Sequence, residues 1–163
     1  MPADRQNVVI VYPLSEDRQR VLMQFHKNPN DPSYNRFNGL SIYPGPFESL
    51  LEAAHRVLRT AGITQARLQY RGGVHWSRFD PNDWPLFGHH FLAHIPDETP
   101  FLVEDEQVRR QWIECHALFE RQVPIWPGDA HILPLVFDNN PIPFHGLMVY
   151  EEGLPQEWRV GRA

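Results

Sequence analysis

One segment of the chain, residues 38–63, constrains the fold more than any other, because it joins a turn to the clearest helical pattern. Apolar residues recur there at steps of three and four, at Leu50, Leu51, Ala54, Val57, Leu58 and Ala61. This spacing predicts a helix over residues 48–61 with one apolar face. Ser49 and Glu52 have the spacing of a capping box, and Gly62 stands where a left-handed residue ends a helix.

Size and charge narrow the functional classes. A chain of 163 residues is most simply one domain. The net charge of -5 argues against a nucleic-acid polymer or a membrane surface as partner, since both require a basic face. The net charge does not exclude small anionic ligands, because they respond only to local charge. Nothing in the sequence indicates an oligomeric state.

The cellular setting is inferred from a single cysteine. Cys115 has no second cysteine to pair with, which fits a reducing compartment. The longest early apolar run, residues 8–11, is too short for a signal peptide or a membrane span. We therefore expect a cytoplasmic protein.

The remaining elements follow from alternation and turn signals. Strands are predicted at residues 7–12, 20–26, 65–76 and 86–95, and a terminal hairpin at residues 144–150 and 156–160. Residues 104–121 are predicted to be helical, residues 80–85 to be a turn-rich loop, and residues 131–137 to be an apolar element whose type stays open. Strands mixed with two helices predict an α/β sandwich in one domain.

The order of these elements and the central segment resemble the Nudix hydrolases. Their signature runs G-x5-E-x7-R-E-U-x-E-E-x-G-U, where U is aliphatic. Glu48 stands at its first glutamate, Arg56 at its arginine, and Gly62-Ile63 at its final pair. The stretch between is one residue shorter than in the family. The resemblance implies a single-domain Nudix-type α/β/α sandwich with a mixed sheet.

Flanking segments are similar to the 8-oxo-dGTP diphosphatase (MutT-like) subgroup. They are residues 27–31, 37–39, 126–131 and 143–150, so the resemblance spans nearly the whole chain. It implies a pyrophosphohydrolase that uses Mg²⁺ to convert a purine nucleoside triphosphate to a monophosphate. It also implies that Asn38, Trp126 and Asp129 hold the substrate's base and that Phe37 binds the substrate. The alternatives stay open: Asn38 in a turn, Asp129 as a helix cap, Trp126 in the core.

At the last three acidic positions of the signature, this chain has residues that are not acidic. Counted forward from Arg56 they fall on Val57, Thr60 and Ala61, and counted back from Gly62 on Arg56, Arg59 and Thr60. Neither count supplies a carboxylate, although Mg²⁺ is a hard cation that takes oxygen ligands. The expected activity is therefore weak or altered, and whether the chain is an enzyme stays open.

Two acids and two arginines on the helix each have two interpretations. Glu48 and Glu52 form either a reduced metal site with a catalytic role or a cap at the positive helix N-terminus. Arg56 and Arg59 either bind phosphate directly or form a solvated face. Glu104 or Glu106 is a further candidate to complete a metal site. The alternative function is an inactive nucleotide-binding module without metal, in which the arginines face the phosphates.

Overall fold

The computed structural model describes residues 7–79 and 86–162. Its strands are β1 Asn7–Leu14, β2 Arg20–His26, β3 Phe37–Asn38, β4 Leu40–Ile42, β5 Arg67–Ser77, β6 Leu86–His94, β7 Val108–Glu114, β8 Phe144–Glu151 and β9 Leu154–Arg162. Its helices are α1 Leu50–Thr60, α2 Cys115–Phe119 and α3 Asp129–Phe137. In these two ranges no helix has the length and apolar character needed to cross a membrane.

One mixed sheet connects the strands, in the order β3-β2-β1-β6-β5-β8-β9. β4 pairs with β1, and β7 pairs with β2. The β1–β6 and β5–β8 pairs are parallel, and the other pairs are antiparallel. The predicted terminal hairpin is confirmed by the β8–β9 pair.

The helix α1 forms where the apolar spacing places it. Ser49 is the N-cap: its side chain accepts from the backbone N–H of Glu52, and the Glu52 carboxylate accepts from the backbone N–H of Ser49. This reciprocal pair is the predicted capping box. Gly62 follows the helix with φ +82°, a conformation that favours glycine, so the predicted end is also confirmed.

The sheet separates two hydrophobic clusters. Val9 and Val11 point to the α1 side and pack with its Ala53, Ala54, Val57 and Leu58. Tyr12 and Leu14 belong to the other cluster, with Ile132, Leu133 and Val136 of α3. Helices therefore cover both faces, which confirms the α/β/α sandwich with a mixed sheet.

Two predictions of local structure were wrong. Residues 104–121 are not one helix, because Val108–Glu114 forms β7 along the whole of β2 and only Cys115–Phe119 is helical. β1 does not end before Pro13, since Pro13 still lies opposite Ala93 in the parallel pair with β6. The apolar segment at residues 131–137, whose type the sequence left undecided, is part of helix α3 and contains Pro134. The loop predicted at residues 80–85 lies outside the described residues.

Candidate functional site

A cavity of about 150 Å³ opens on the α3 side of the sheet. Six of its lining side chains are aromatic: Tyr12, Tyr43, Trp76, Phe79, Trp126 and Tyr150. The polar lining consists of Ser33, Asn38, Ser41 and Asp129. Pockets for drug-sized ligands span roughly 300–1,000 Å³, so this cavity suits one flat ring system with the rest of a ligand outside.

Asn38 is brought to the cavity by the short strand β3. Its side-chain Oδ1 lies 2.7 Å from Nε2 of His26, a buried residue of β2. The other ring nitrogen of His26, Nδ1, lies 3.3 Å from the Asp31 carboxylate. Gly39, directly after Asn38, has no room for a side chain, because an added Cβ would lie 2.7 Å from Ile10 and 2.9 Å from Tyr12.

Asp129 is the first residue of α3 and lines the same cavity. Its carboxyl lies among protein atoms, and this burial raises its pKa to about 7, against a smaller opposing effect of the Arg36 charge. Burial and the nearby Asp129 charge together raise the pKa of Tyr150 to about 12. Near neutral pH, Asp129 can therefore offer a ligand either a carboxyl O–H or a carboxylate.

Trp126 lines the cavity with its indole held in place. Its Nε1 donates to Ser33 Oγ at 3.0 Å, and the Arg36 guanidinium lies 4.1 Å from its ring centroid. The ring of Phe79 lies 5.0 Å away at a tilt. A cation stacked on an indole is an attractive arrangement. In the described residues Arg36 makes no ion pair with a carboxylate, so this positive charge is available beside the cavity.

Phe37 lies elsewhere. It is 5% exposed, its ring packs 5.0 Å from that of Phe25, and it is absent from the cavity wall. The structure brings the three residues assigned to the base by resemblance, Asn38, Trp126 and Asp129, to one cavity. Phe37 belongs to the hydrophobic core beneath them.

Glu48 lies just before α1 and binds Arg56. Its Oε1 and Oε2 accept from Nη2 and Nε of Arg56, each at 2.8 Å, and Oε1 also accepts from the backbone N–H of Gly45. Arg56 donates further to the Tyr43 carbonyl. The hydrogen bonds from Arg56, with the one from Gly45, lower the pKa of Glu48 to about 2. This arrangement ties the loop before α1 to the second turn of the helix.

These residues do not fit Mg²⁺. The Glu48 carboxylate faces a guanidinium, which would repel a cation at ~4 Å by about 4 kcal/mol per unit charge at an effective dielectric near 20. The Glu52 carboxylate closes the capping box. Across residues 7–79 and 86–162, no three acidic, histidine or cysteine side chains gather into a group that could hold a metal ion.

A second, more open hollow lies beside α1 and shares Ser41 with the first cavity. Val57 and Thr60, at two of the signature's acidic positions, form its helical wall. Asp105 is in the lining but pairs with Arg110 at 3.3 Å. The helical wall of this hollow therefore carries a valine and a threonine, and Asp105 is neutralised by Arg110.

The other charged candidates, Glu104, Glu106 and Arg59, do not line the aromatic cavity. Glu106 lines the hollow beside α1 and is exposed. Glu104 pairs with Lys27 instead. Arg59 is exposed in the last turn of α1 and lines neither space. Whether any of them acts on a ligand stays a prediction.

Sequence reasoning missed several lining residues. Tyr12, Trp76 and Tyr150 lie on three strands that meet only in the folded sheet. Two residues beside the lining were missed as well, namely Arg36, which stacks on Trp126, and His26, which contacts Asn38. The alternation in β1, which sets Tyr12 apart from Val9 and Val11, was the one local signal for any of them.

Comparisons with known proteins bear on this architecture. No protein-family model and no curated protein matches the chain. Among solved structures, a MutT protein from Bacillus halodurans has a TM-score of 0.76 at 19% identity, covering 95% of this chain and 97% of that one. The NUDIX domain of Shewanella oneidensis NrtR, solved with ADP-ribose, has a TM-score of 0.65 at 14% identity, covering 80% and 85%.

A third neighbour is the dihydroneopterin triphosphate pyrophosphohydrolase of E. coli, with a TM-score of 0.56 at 19% identity, covering 70% of this chain and 84% of that one. At these sequence identities, the similarity to all three structures is a similarity of fold. The chain thus has the fold of the Nudix hydrolases, in an arrangement similar to the MutT proteins.

Proposed function

We propose that this protein is a Nudix-fold module that binds a purine nucleotide through its base, without a magnesium ion held by α1. The base would occupy the aromatic cavity, where Asn38 and Asp129 offer hydrogen bonds to its edge. The sugar and phosphates would extend outward, toward Ser41 and the hollow beside α1.

One observation carries this proposal: a cavity of a size suited to one ring system lies across the sheet from a helix whose acids are already engaged. Glu48 is bound by Arg56, and Glu52 caps the helix. Arg36 supplies a positive charge beside Trp126. Arg56 contributes less to phosphate binding than its position in the signature implies, since its charge is matched by Glu48. The ADP-ribose bound to the NrtR domain supports a nucleotide ligand for this fold.

A second candidate is a weak pyrophosphohydrolase that acts on a purine nucleoside triphosphate such as 8-oxo-dGTP. It is favoured by the likeness to the E. coli pyrophosphohydrolase and by the exposed Glu106 in the hollow beside α1. In that case Mg²⁺ would need Glu106 together with phosphate oxygens, because magnesium sites commonly combine one or two carboxylates with phosphates.

The test is a thermal-shift titration with dGTP and 8-oxo-dGTP, in Mg²⁺ and in chelator, alongside a pyrophosphate-release assay. A ligand at a hundredfold excess over Kd stabilises a protein by about 2.7 kcal/mol. We expect the shift to persist in chelator and no pyrophosphate to be released. Magnesium-dependent release would establish the second candidate instead.

Two variants separate the cavity from general effects. Asp129→Ala should abolish the nucleotide shift, because it removes a hydrogen-bonding group from the cavity wall. Glu98→Ala is the matched control, since Glu98 is an exposed acid that does not line the cavity. An undiminished shift in Asp129→Ala would remove Asp129 from the binding site.

A further inference from the structure

The strand β9 lies at one edge of the sheet. Among the strands that the structure describes, it pairs only with β8. Its residues face open space: Leu154 and Val160 are 54% and 44% exposed, and an added Cβ at Gly161 would meet no atom of the described residues within 4 Å. A free strand edge presents unpaired N–H and C=O groups, and a further strand can pair with them.

Soluble proteins usually protect such an edge, and β9 is protected at one end. Pro155 has no N–H to offer a neighbouring strand. Beside it, the pairing with β8 shifts by one residue, which leaves Gln156 as a bulge. From Glu157 to Arg162 the pairing with β8 is regular. This regular part contains neither proline nor lysine, the residues that commonly block association at an edge.

Two opposite charges lie in this regular part. Glu157 and Arg159 are two positions apart and share one face of the strand. Their side chains are 50% and 68% exposed, and Arg159 Nε lies 3.0 Å from Glu157 Oε1. Such an exposed pair contributes little to the stability of a single chain. Charges exclude a second copy only where like signs meet, so the arrangement of these two signs decides whether β9 accepts one.

A two-fold axis perpendicular to the sheet would pair two β9 strands antiparallel. Residues on one face then lie opposite each other, and each register is defined by the residue that meets its own copy at the axis. With Trp158 at the axis, Glu157 lies opposite Arg159 of the second copy, and Arg159 lies opposite Glu157 of that copy. With either charged residue at the axis, like charges meet, which destabilises a pair. The charge pattern therefore favours the register centred on Trp158.

We propose that the free edge of β9 binds a second copy of this chain, antiparallel and centred on Trp158, and forms a symmetric dimer with one continuous sheet. Trp158 is held by its own chain, because its indole covers Gly146, where an added Cβ would lie 2.4 Å from the ring. The contact runs from Gln156 to Val160, because the bulge and Pro155 end it. So short a contact predicts a weak, concentration-dependent dimer. The proposal does not depend on nucleotide binding.

Sedimentation velocity tests this contact through the charges of β9. The wild type should form dimers as its concentration rises from about 10 to about 500 µM at about 0.1 M salt, where a screening length of ~10 Å leaves charges in contact attractive. Glu157→Arg and Arg159→Glu should each stay monomeric, because a strand with two charges of one sign then meets the same sign on its copy. Glu98→Arg is the matched control, since it makes the same charge change at an exposed residue outside β9 and should dimerise as the wild type does.

The decisive measurement mixes the two single variants. A Glu157→Arg chain carries two arginines at these positions, and an Arg159→Glu chain carries two glutamates. An equimolar mixture should therefore form heterodimers, although neither variant associates with itself. The double variant Glu157→Arg/Arg159→Glu should associate with itself again, because it exchanges the two signs and keeps them complementary across the axis.

Three results would overturn the proposal. A wild type that stays monomeric over the whole range has no such contact. Single variants that dimerise as the wild type does would place the contact elsewhere on the molecule. Monomeric single variants whose mixture forms no dimer would exclude the register centred on Trp158. Thermal melting of each variant confirms that it is folded, and the measurement on the wild type needs no substitution.

Discussion

At the scale of single residues, Asp129 is the group most altered by its surroundings. An ordinary aspartate has a pKa of 3.8, and burial raises that of Asp129 to about 7. The folded state therefore binds a proton more tightly than the unfolded state does. Stability from this group is lost as the pH rises from about 4 through about 7, because the folded protein must then hold a poorly hydrated charge.

Replacement of Asp129 by Asn tests how much stability the protein loses when the buried carboxyl ionises. Asn cannot ionise, so Asp129→Asn should raise the melting temperature at pH 8 and leave it nearly unchanged at pH 4.5. For a domain of this size, about 1 kcal/mol corresponds to a rise of roughly 2–4 °C. Differential scanning calorimetry at the two pH values provides the measurement. An equal change at both would show that the effect is one of packing and not of ionisation.

The residues of the site were partly predictable. Asn38, Trp126 and Asp129 were assigned from segments that resemble a known subgroup, and they line one cavity. Phe37 was expected to bind the substrate and lies in the core, because its ring packs against Phe25 of the neighbouring strand. The positions of His26 and Arg36 beside the site could not be predicted, since they depend on contacts that only the folded sheet supplies.

At the scale of elements, α1 shows how a helix end can be fixed by charge. Glu48 and Arg56 join the preceding loop to the second turn of α1 through two hydrogen bonds. The low pKa of Glu48 means that the folded state binds its proton less tightly than the unfolded state. The contribution of this pair is therefore present above about pH 4.5 and is lost as the pH falls toward about 2.

A double-mutant cycle of Glu48→Gln and Arg56→Gln isolates this pair. Each single variant should lower the melting temperature at pH 6, and the double variant should lose less than the sum of the two. The coupling between them should vanish near pH 2, where Glu48 becomes protonated. A coupling that is independent of pH would mean that it does not come from the ionised carboxylate, and no coupling at pH 6 would mean that the Tyr43 carbonyl alone holds the guanidinium.

The contrast between α1 and β7 shows what element prediction depends on. The amphipathic spacing and capping residues of α1 are local, so its position could be read from the chain. β7 was mistaken for helix because only its pairing with all seven residues of β2 makes it extended. Long-range pairing overrides local preference in such strands.

At the scale of the whole molecule, Arg71 joins the sheet to the end of α3. It is 1% exposed and makes an ion pair with Asp138, which also binds Arg162 of β9. Its other hydrogen bonds go to the backbone carbonyls of Leu135, Val136, Asp138 and Asn140. One buried guanidinium thus connects β5, α3 and β9.

Arg71→Met should destabilise the protein by about 3 kcal/mol, because several buried acceptors lose their donor at once. The measurement is the free energy of unfolding in urea. Arg67→Met is the matched control, since Arg67 is an exposed residue of the same strand and should change stability by less than ~0.5 kcal/mol. Equal effects of the two substitutions would show that the contacts of Arg71 contribute nothing to the stability of the protein.

The sheet also separates two groups of apolar side chains. The apolar side chains that anchor α1 and those that shape the aromatic cavity belong to different clusters on its opposite faces. Substitutions along the solvent side of that helix should therefore leave the shape of the cavity on the other side of the sheet unchanged.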